Sequence, residues 1–91
     1  MASRRKLKKA IRFVSTELIT EMYILSLFKK IDGQVIDDIV MKVVQMNDNL
    51  VARVNHVDGK EDSKIVKSYF KKLREDWEKG IEEIMEEVGK L

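Results

Sequence analysis

The chain has no cysteine and no proline, and only four glycines, at positions 33, 59, 80 and 89. Without cysteine there is no disulfide, no thiolate zinc site and no cysteine nucleophile. Small secreted domains usually depend on such staples, so a cytoplasmic setting is expected. The scarcity of Pro and Gly favours long helices over a sheet fold, which would need many turns. A single histidine, His56, is present. With no second His, no Cys and no Glu-x-x-His motif, the common zinc, di-iron and nucleophile constellations lack their parts. No apolar run approaches the ~20 residues of a spanning helix. The basic, then apolar, start has the outline of a signal peptide. Glu17 and Glu21 interrupt any such apolar region, and no small-residue cleavage site follows. The acid-free stretch 2–16 has the composition of an organelle-targeting helix, but its apolar stripe runs on unbroken into the next turns.

What remains is a 91-residue chain that is 44% hydrophobic and 37% charged. That is a composition for one folded domain rather than a disordered segment. A chain this short buries a smaller share of its surface than a typical domain, so its stability margin is thin. The expected fold is all-α: one domain over residues 1–91, an antiparallel three-helix bundle with helices at about 5–31, 34–57 and 62–90. In the first segment Leu7, Ile11, Val14, Leu18, Met22 and Leu25 recur at steps of three and four, which is one helix face. Gly33 suits a left-handed cap ending it, and Asp32 suits the cap of the next helix. The second segment repeats Ile36, Val40, Val43, Asn47, Leu50, Val54 and Val57 with period 3.5, which outweighs its β-branched content. Asp58 and Glu61 fit a capping box before the third helix, with Asp62 or Ser63 as alternative caps. The third stripe is Val66, Phe70, Leu73, Trp77, Ile81, Ile84, Val88 and Leu91.

The first helix carries more apolar surface than one core face needs. Phe13, Ile24, Leu27 and Ile31 form a second stripe, and Tyr23 and Phe28 make the stretch from 22 to 31 apolar almost all round. Helices of that kind are buried on all sides. Two arrangements satisfy this: helix 1 wedged between helices 2 and 3, or self-association as a homodimer through Tyr23, Ile24, Leu27, Phe28 and Ile31.

Charge is organised along the chain. The first sixteen residues hold six Lys/Arg and no acid, whereas residues 75–87 hold seven acids and one Lys. Up-down-up topology brings residues 1–15 and 50–74 to one end, with thirteen basic and three acidic residues. The other end, 16–49 with 75–91, has five basic and thirteen acidic residues. The net charges, +10 and −8, sum to the +2 of the whole chain. This polarity runs against the helix dipoles, which favour acids at helix starts and bases at helix ends. Glu82/Glu86 and Glu83/Glu87 add like-charge i,i+4 pairs. The pattern therefore does nothing for the helices themselves: either a partner uses it, or both charge runs are solvated faces or frayed ends.

The functional alternatives follow from these features. The first is a non-catalytic interaction protein, self-associating or binding another protein. The second is nucleic-acid binding at the basic end, through Arg4, Arg5, Lys6, Lys8, Lys9, Arg12, Lys64, Lys67, Lys71 and Lys72, with Tyr69 and Phe70 as stacking surfaces. No recognised nucleic-acid motif accompanies it. Membrane-surface binding by the same basic helix is disfavoured, because Leu7, Ala10, Ile11 and Val14 continue the bundle core. An enzyme is not expected: no catalytic residue, metal ligand or cofactor is assigned. Glu17, Glu21 and Asp48 are the one carboxylate grouping worth locating, and His56 reads as a polar residue near a helix C-terminus. Asn47 stands where the seam calls for an apolar residue. It either fixes register or turns to the rim to bond water. Gly80, inside the third helix, costs about 1 kcal/mol relative to Ala unless it admits a close neighbour.

Four segments, Arg4-Arg5-Lys6-Leu7-Lys8-Lys9, Glu17-Leu18, Arg53-Val54-Asn55-His56 and Tyr69-Phe70-Lys71-Lys72-Leu73-Arg74-Glu75-Asp76, give the chain a resemblance. In their order and spacing it resembles a family of short bacterial helical proteins of unassigned function. The resemblance implies a helical bundle and a bacterial cytoplasm and carries no activity. Members tend to have Pro after the His, whereas this chain has Val57-Asp58-Gly59, so the second turn is expected to differ.

Overall fold

A computed structural model describes residues 4–57 and 62–91. Three helices follow one another: α1, Arg4–Phe28; α2, Gly33–Asn55; and α3, Ser63–Gly89. The fold is an all-α three-helix bundle, drawn out into a rod of 52 × 20 × 17 Å.

The caps explain where the helices start. The Asp32 carboxylate accepts from the Gln34 N–H, and the Asp62 carboxylate accepts from the Lys64 N–H. Each satisfies one of the free donors of a first turn. Asp62 is thus the cap of α3, while Asp58 and Glu61 lie outside the described residues. Helix α1 is shorter than its periodicity predicts. It ends at Phe28, where the Lys29 N–H makes a last bond to the Leu25 carbonyl. Residues 29–32 are spent on the turn. Gly33 is not a left-handed cap of α1 but the first residue of α2, so the helix stops without glycine's help. Helix α2 stops at Asn55, two residues before Val57, which is nonetheless buried.

Two apolar clusters run along the rod and fix its topology. Ile11, Leu50, Val54 and Leu73 form one, flanked by Leu7, Val51, Tyr69, Phe70 and Trp77. Leu18, Met22, Ile39, Val43 and Ile84 form the other, flanked by Val14, Ile19, Val35, Ile36, Val88 and Leu91. Early α1, late α2 and early α3 therefore meet at one level, and late α1, early α2 and late α3 at the other. This is up-down-up, with α1 and α3 parallel. Ile39 belongs to the core although the 4-3 reading favours Ile36 and Val40, which are half-buried.

Helix α1 is not the central element. The extensive contacts are α1 with α2 and α2 with α3, so α2 lies between the other two. The charge content gives the reason. Of the 23 residues of α2 only Asp37, Asp38, Lys42, Asp48 and Arg53 are charged, whereas α3 carries thirteen charged residues among 27. The least charged helix can present apolar residues on two flanks at the smallest desolvation cost.

Two polar features tune the packing. A Cβ at Gly80 would come within 2.7 Å of the Met46 sulfur, so this glycine lets α2 and α3 approach closely. The Ser15 hydroxyl is buried but donates to the Ile11 carbonyl at 2.9 Å, leaving no unpaired donor.

Asn47 is different. Its Oδ1 is buried with no hydrogen-bond partner, and its Nδ2 makes only a 3.3 Å contact with Asp48 Oδ1. It lines an open groove of about 300 Å³ with Arg12, Ser15, Thr16, Ile19 and Val44. A buried acceptor without a donor costs about 1–3 kcal/mol. We therefore expect Asn47→Leu to stabilise the fold by about 1–2 kcal/mol, because the groove has room for the branched side chain. Urea titration of the two proteins checks this, and a lower midpoint for the Leu variant would refute it.

Candidate interaction surface

Helix α1 turns its core face, Ile11, Leu18 and Met22, towards the bundle, with Leu7, Val14 and Leu25 half-buried beside it. At 100° per residue, Phe13, Thr20, Ile24 and Leu27 fall on the opposite side. Nothing in the bundle covers that side. Leu27 and Phe28 are 81% and 82% exposed, and Phe13, Tyr23 and Ile24 expose about half of their surface or more. Ile31, expected to extend the surface, lies beyond the helix end and is half-buried. The second stripe read from the sequence is thus an outward face, apolar over residues 23–28 and separated from Phe13 by exposed Thr16, Glu17 and Thr20. Single exposed apolar residues such as Met41, Ile65 and Met85 occur elsewhere, as on any protein. Four large ones within six residues of one helix, Tyr23, Ile24, Leu27 and Phe28, are a different matter. Patches of several hundred Å² on soluble proteins mark places where something else binds.

The basic end is assembled from two helix starts and one helix end. Arg4, Arg5, Lys9 and Arg12 of α1 and Lys64, Lys67 and Lys71 of α3 are exposed. Among the expected anion-binding residues, Lys8 and Lys72 make contacts within the fold. Lys8 Nζ donates to Asn55 Oδ1 at 3.0 Å, tying α1 to the end of α2. Lys72 Nζ lies 3.1 Å from Asp76, which also pairs with Arg53 at 2.9 Å. Tyr69 and Phe70 are not free platforms for bases. Both are half-buried, packed edge to face with ring centroids 5.7 Å apart. The Tyr69 hydroxyl donates to the Arg53 carbonyl at 2.7 Å and approaches the His56 carbonyl at 3.3 Å. These bonds close the end of α2 and hold the aromatic pair in place.

Lys72 above all, together with Arg53, holds the Asp76 carboxyl below the usual carboxylate range, against a desolvation that pushes it up. A carboxyl whose folded value is lowered contributes stability above its unfolded value, about 3.9. That contribution is lost as pH falls through the lowered folded value. The expected result is a flatter acid limb for Asp76→Asn: its denaturation midpoint should change less than that of the native chain below about pH 4. Equal slopes for the two proteins in acid would contradict this.

The chemistry of the remaining candidates is sparse. Among the described residues no group of three or more His, Cys, Asp or Glu side chains could hold a metal ion, so Glu17, Glu21 and Asp48 do not converge as such a site. His56 is the exposed C-cap of α2, its N–H bonded to the Ala52 carbonyl. A shallow groove of about 420 Å³ between α2 and the end of α3 is lined by Lys42, Met46, Gly80 and the Glu83, Glu86 and Glu87 carboxylates. Lys42 and Glu87 pair across it. Among the described residues no helix is long and apolar enough to cross a membrane. Compared with known proteins, the chain matches no family model, no curated protein and no solved structure.

Proposed function

We propose that the protein is a non-catalytic helical interaction module that works in the cytoplasm and assembles as a homodimer through the outer face of α1. The observation that carries this reading is the run of exposed large apolar side chains, Tyr23, Ile24, Leu27 and Phe28, with Phe13 on the same face. The bundle has a complete core without them, so their free energy goes to whatever covers them. Light scattering over a series of concentrations tests the reading: the mass should be twice that of the 10.7 kDa chain. A monomer persisting at the highest concentration would overturn it.

The exposed cations at the starts of α1 and α3 support a second reading, binding of nucleic acid through phosphate contacts. It predicts retention of DNA or RNA at low salt, with affinity that collapses as salt is added. The engaged Tyr69 and Phe70 leave this reading with electrostatics alone.

A further inference from the structure

With Tyr69 and Phe70 engaged, the nucleic-acid reading set out above stands on cations alone. The start of α1 carries an aromatic side chain that the fold leaves uncovered. On the outer face of this helix Arg5, Lys9 and Phe13 follow one another at four-residue steps, each about 6 Å further along. Two cations and a ring thus stand in one row, within about 80° of one another. All three are exposed, and Phe13 shows 65% of its surface to solvent. Phe13 belongs to neither core cluster. Tyr23 and Phe28, also exposed aromatics of α1, lie beyond Glu17 and Glu21, outside the basic stretch.

A second cationic row runs beside the first. Ile11 shares a cluster with Leu73, and Met22 shares one with Ile84, at the same sequence offset. That offset sets Arg5 and Lys9 level with Lys67 and Lys71, and Phe13 level with the step from Arg74 to Glu75. Tyr69 and Asp76, which bond to Arg53, mark the side of α3 that faces α2. At 100° per residue Lys67, Lys71 and Arg74 fall on the flank away from α2, and all three are exposed. No acid occurs from Arg4 to Thr16 or from Ser63 to Arg74. The neighbouring carboxylates bound the two rows. Asp58, Glu61 and Asp62 precede α3, Glu17 and Glu75 follow the rows, and Asp76 is held by Lys72 and Arg53.

We infer that Phe13 is a stacking platform for a base of a single-stranded nucleic acid whose phosphates follow the rows of Arg5 and Lys9 and of Lys67 and Lys71. This rests on the nucleic-acid reading and not on the homodimer. Single strands are held without sequence preference by a cationic track with an aromatic ring in it, because every base has a π-face to lay on the ring. In a duplex the bases are already stacked on one another, and none reaches Phe13 without the cost of unpairing. Arg5/Lys9 and Lys67/Lys71 are like-charge i,i+4 pairs that work against their own helices. They also stand near helix starts, where the positive end of the dipole adds to the repulsion. A strand of phosphates relieves both. The Tyr23–Phe28 surface lies further along α1, so a bound strand and a second copy would use different stretches of the helix.

A short fluorescein-labelled oligothymidylate, alone or annealed to its complement, tests this by anisotropy at about 50 mM salt, where phosphate contacts are strong. Phe13→Ala should weaken binding of the single strand by about five- to a hundredfold, the worth of one stacked base, and leave duplex affinity unchanged. Phe13→Trp should preserve single-strand binding. Lys71→Gln should weaken both forms and make the salt dependence shallower by about one phosphate contact. Phe13 lies outside both core clusters, so the helical circular dichroism of its variants should match that of the native chain. No loss with Phe13→Ala, or an equal loss for strand and duplex, would overturn the stacking role and leave phosphate binding standing. A native chain that binds neither form would overturn the nucleic-acid reading itself, and the stacking role with it. A Phe13→Ala variant that binds the strand normally but loses mass in light scattering would place Phe13 between copies of the chain instead.

Discussion

Replacing Leu27 by Glu should dissolve the proposed dimer and leave the bundle intact. Leu27 is among the most exposed large apolar residues of the molecule, so its loss removes nothing from either core cluster. In the proposed dimer the same position would be buried twice, once from each copy. A carboxylate placed there without a partner must give up its hydration or force the interface apart. Either route costs several kcal/mol per dimer, and each 1.4 kcal/mol is a factor of ten in affinity. The dissociation constant should rise at least about a hundredfold, read by sedimentation equilibrium, with the helical circular dichroism of the isolated chain unchanged. Leu27→Gln separates the two causes. It removes the apolar contact without adding charge to an end that is already acidic, and it should weaken the dimer by a smaller factor. A Glu variant that dimerises as well as the native chain would show that this face is not the interface.

Replacing Leu73 by Ala should do the opposite: it attacks the fold and touches no interaction surface. Leu73 is fully buried and sits with Ile11, Leu50 and Val54 where the three helices meet. Truncation of such a leucine costs about 2.7–5 kcal/mol, the transfer term plus the cavity it leaves. A domain of this size has a total stability of about 5–13 kcal/mol. The loss is thus a large share of the whole, and the midpoint of thermal unfolding should drop by about 15–25 °C. The comparison variant is Ile65→Ala, on the same helix but half exposed, which should move the midpoint by no more than a few degrees. Melting should be followed at equal, low protein concentration, because the proposed dimerisation would add its own stabilisation by mass action. A Leu73→Ala variant that melts within a few degrees of the native chain would mean that the two helical clusters are less interdependent than their packing indicates.

The contrast between these two leucines shows how far the sequence could be read. Both stand in apolar stripes at helical spacing. The spacing was enough to establish three helices and to put Ile11, Leu18, Met22, Leu73 and Ile84 on core faces. Asp32 was readable as a cap, since a short acceptor side chain before a helix start has few other uses, whereas Asp62 was one of two alternatives to an Asp58–Glu61 capping box. What spacing does not contain is which face meets which. It left helix 1 as a candidate for the centre, and the centre is α2. That outcome depends on the charge carried by the flanks of all three helices together, a property of no single segment. The choice between Ile39 and Val40 failed for a related reason. A stripe of period 3.5 drifts around a helix of period 3.6, so the sequence alone does not say at which end the stripe is anchored. Asn47 was visible as a break in the seam, but its orientation follows from the groove it lines. The second stripe of α1 was plain in the sequence, and only the packing shows that it is left uncovered.

Among the described residues Met46 is the one partly buried side chain that packs against both apolar clusters, and it does so over the gap left by Gly80. The rod therefore has two nuclei of stability joined through a flexible thioether, the most adaptable of apolar side chains. Cooperativity between the two halves passes through that junction and through the continuous helices on either side of it. A change at Met46 should therefore be felt in the basic half and in the acidic half together.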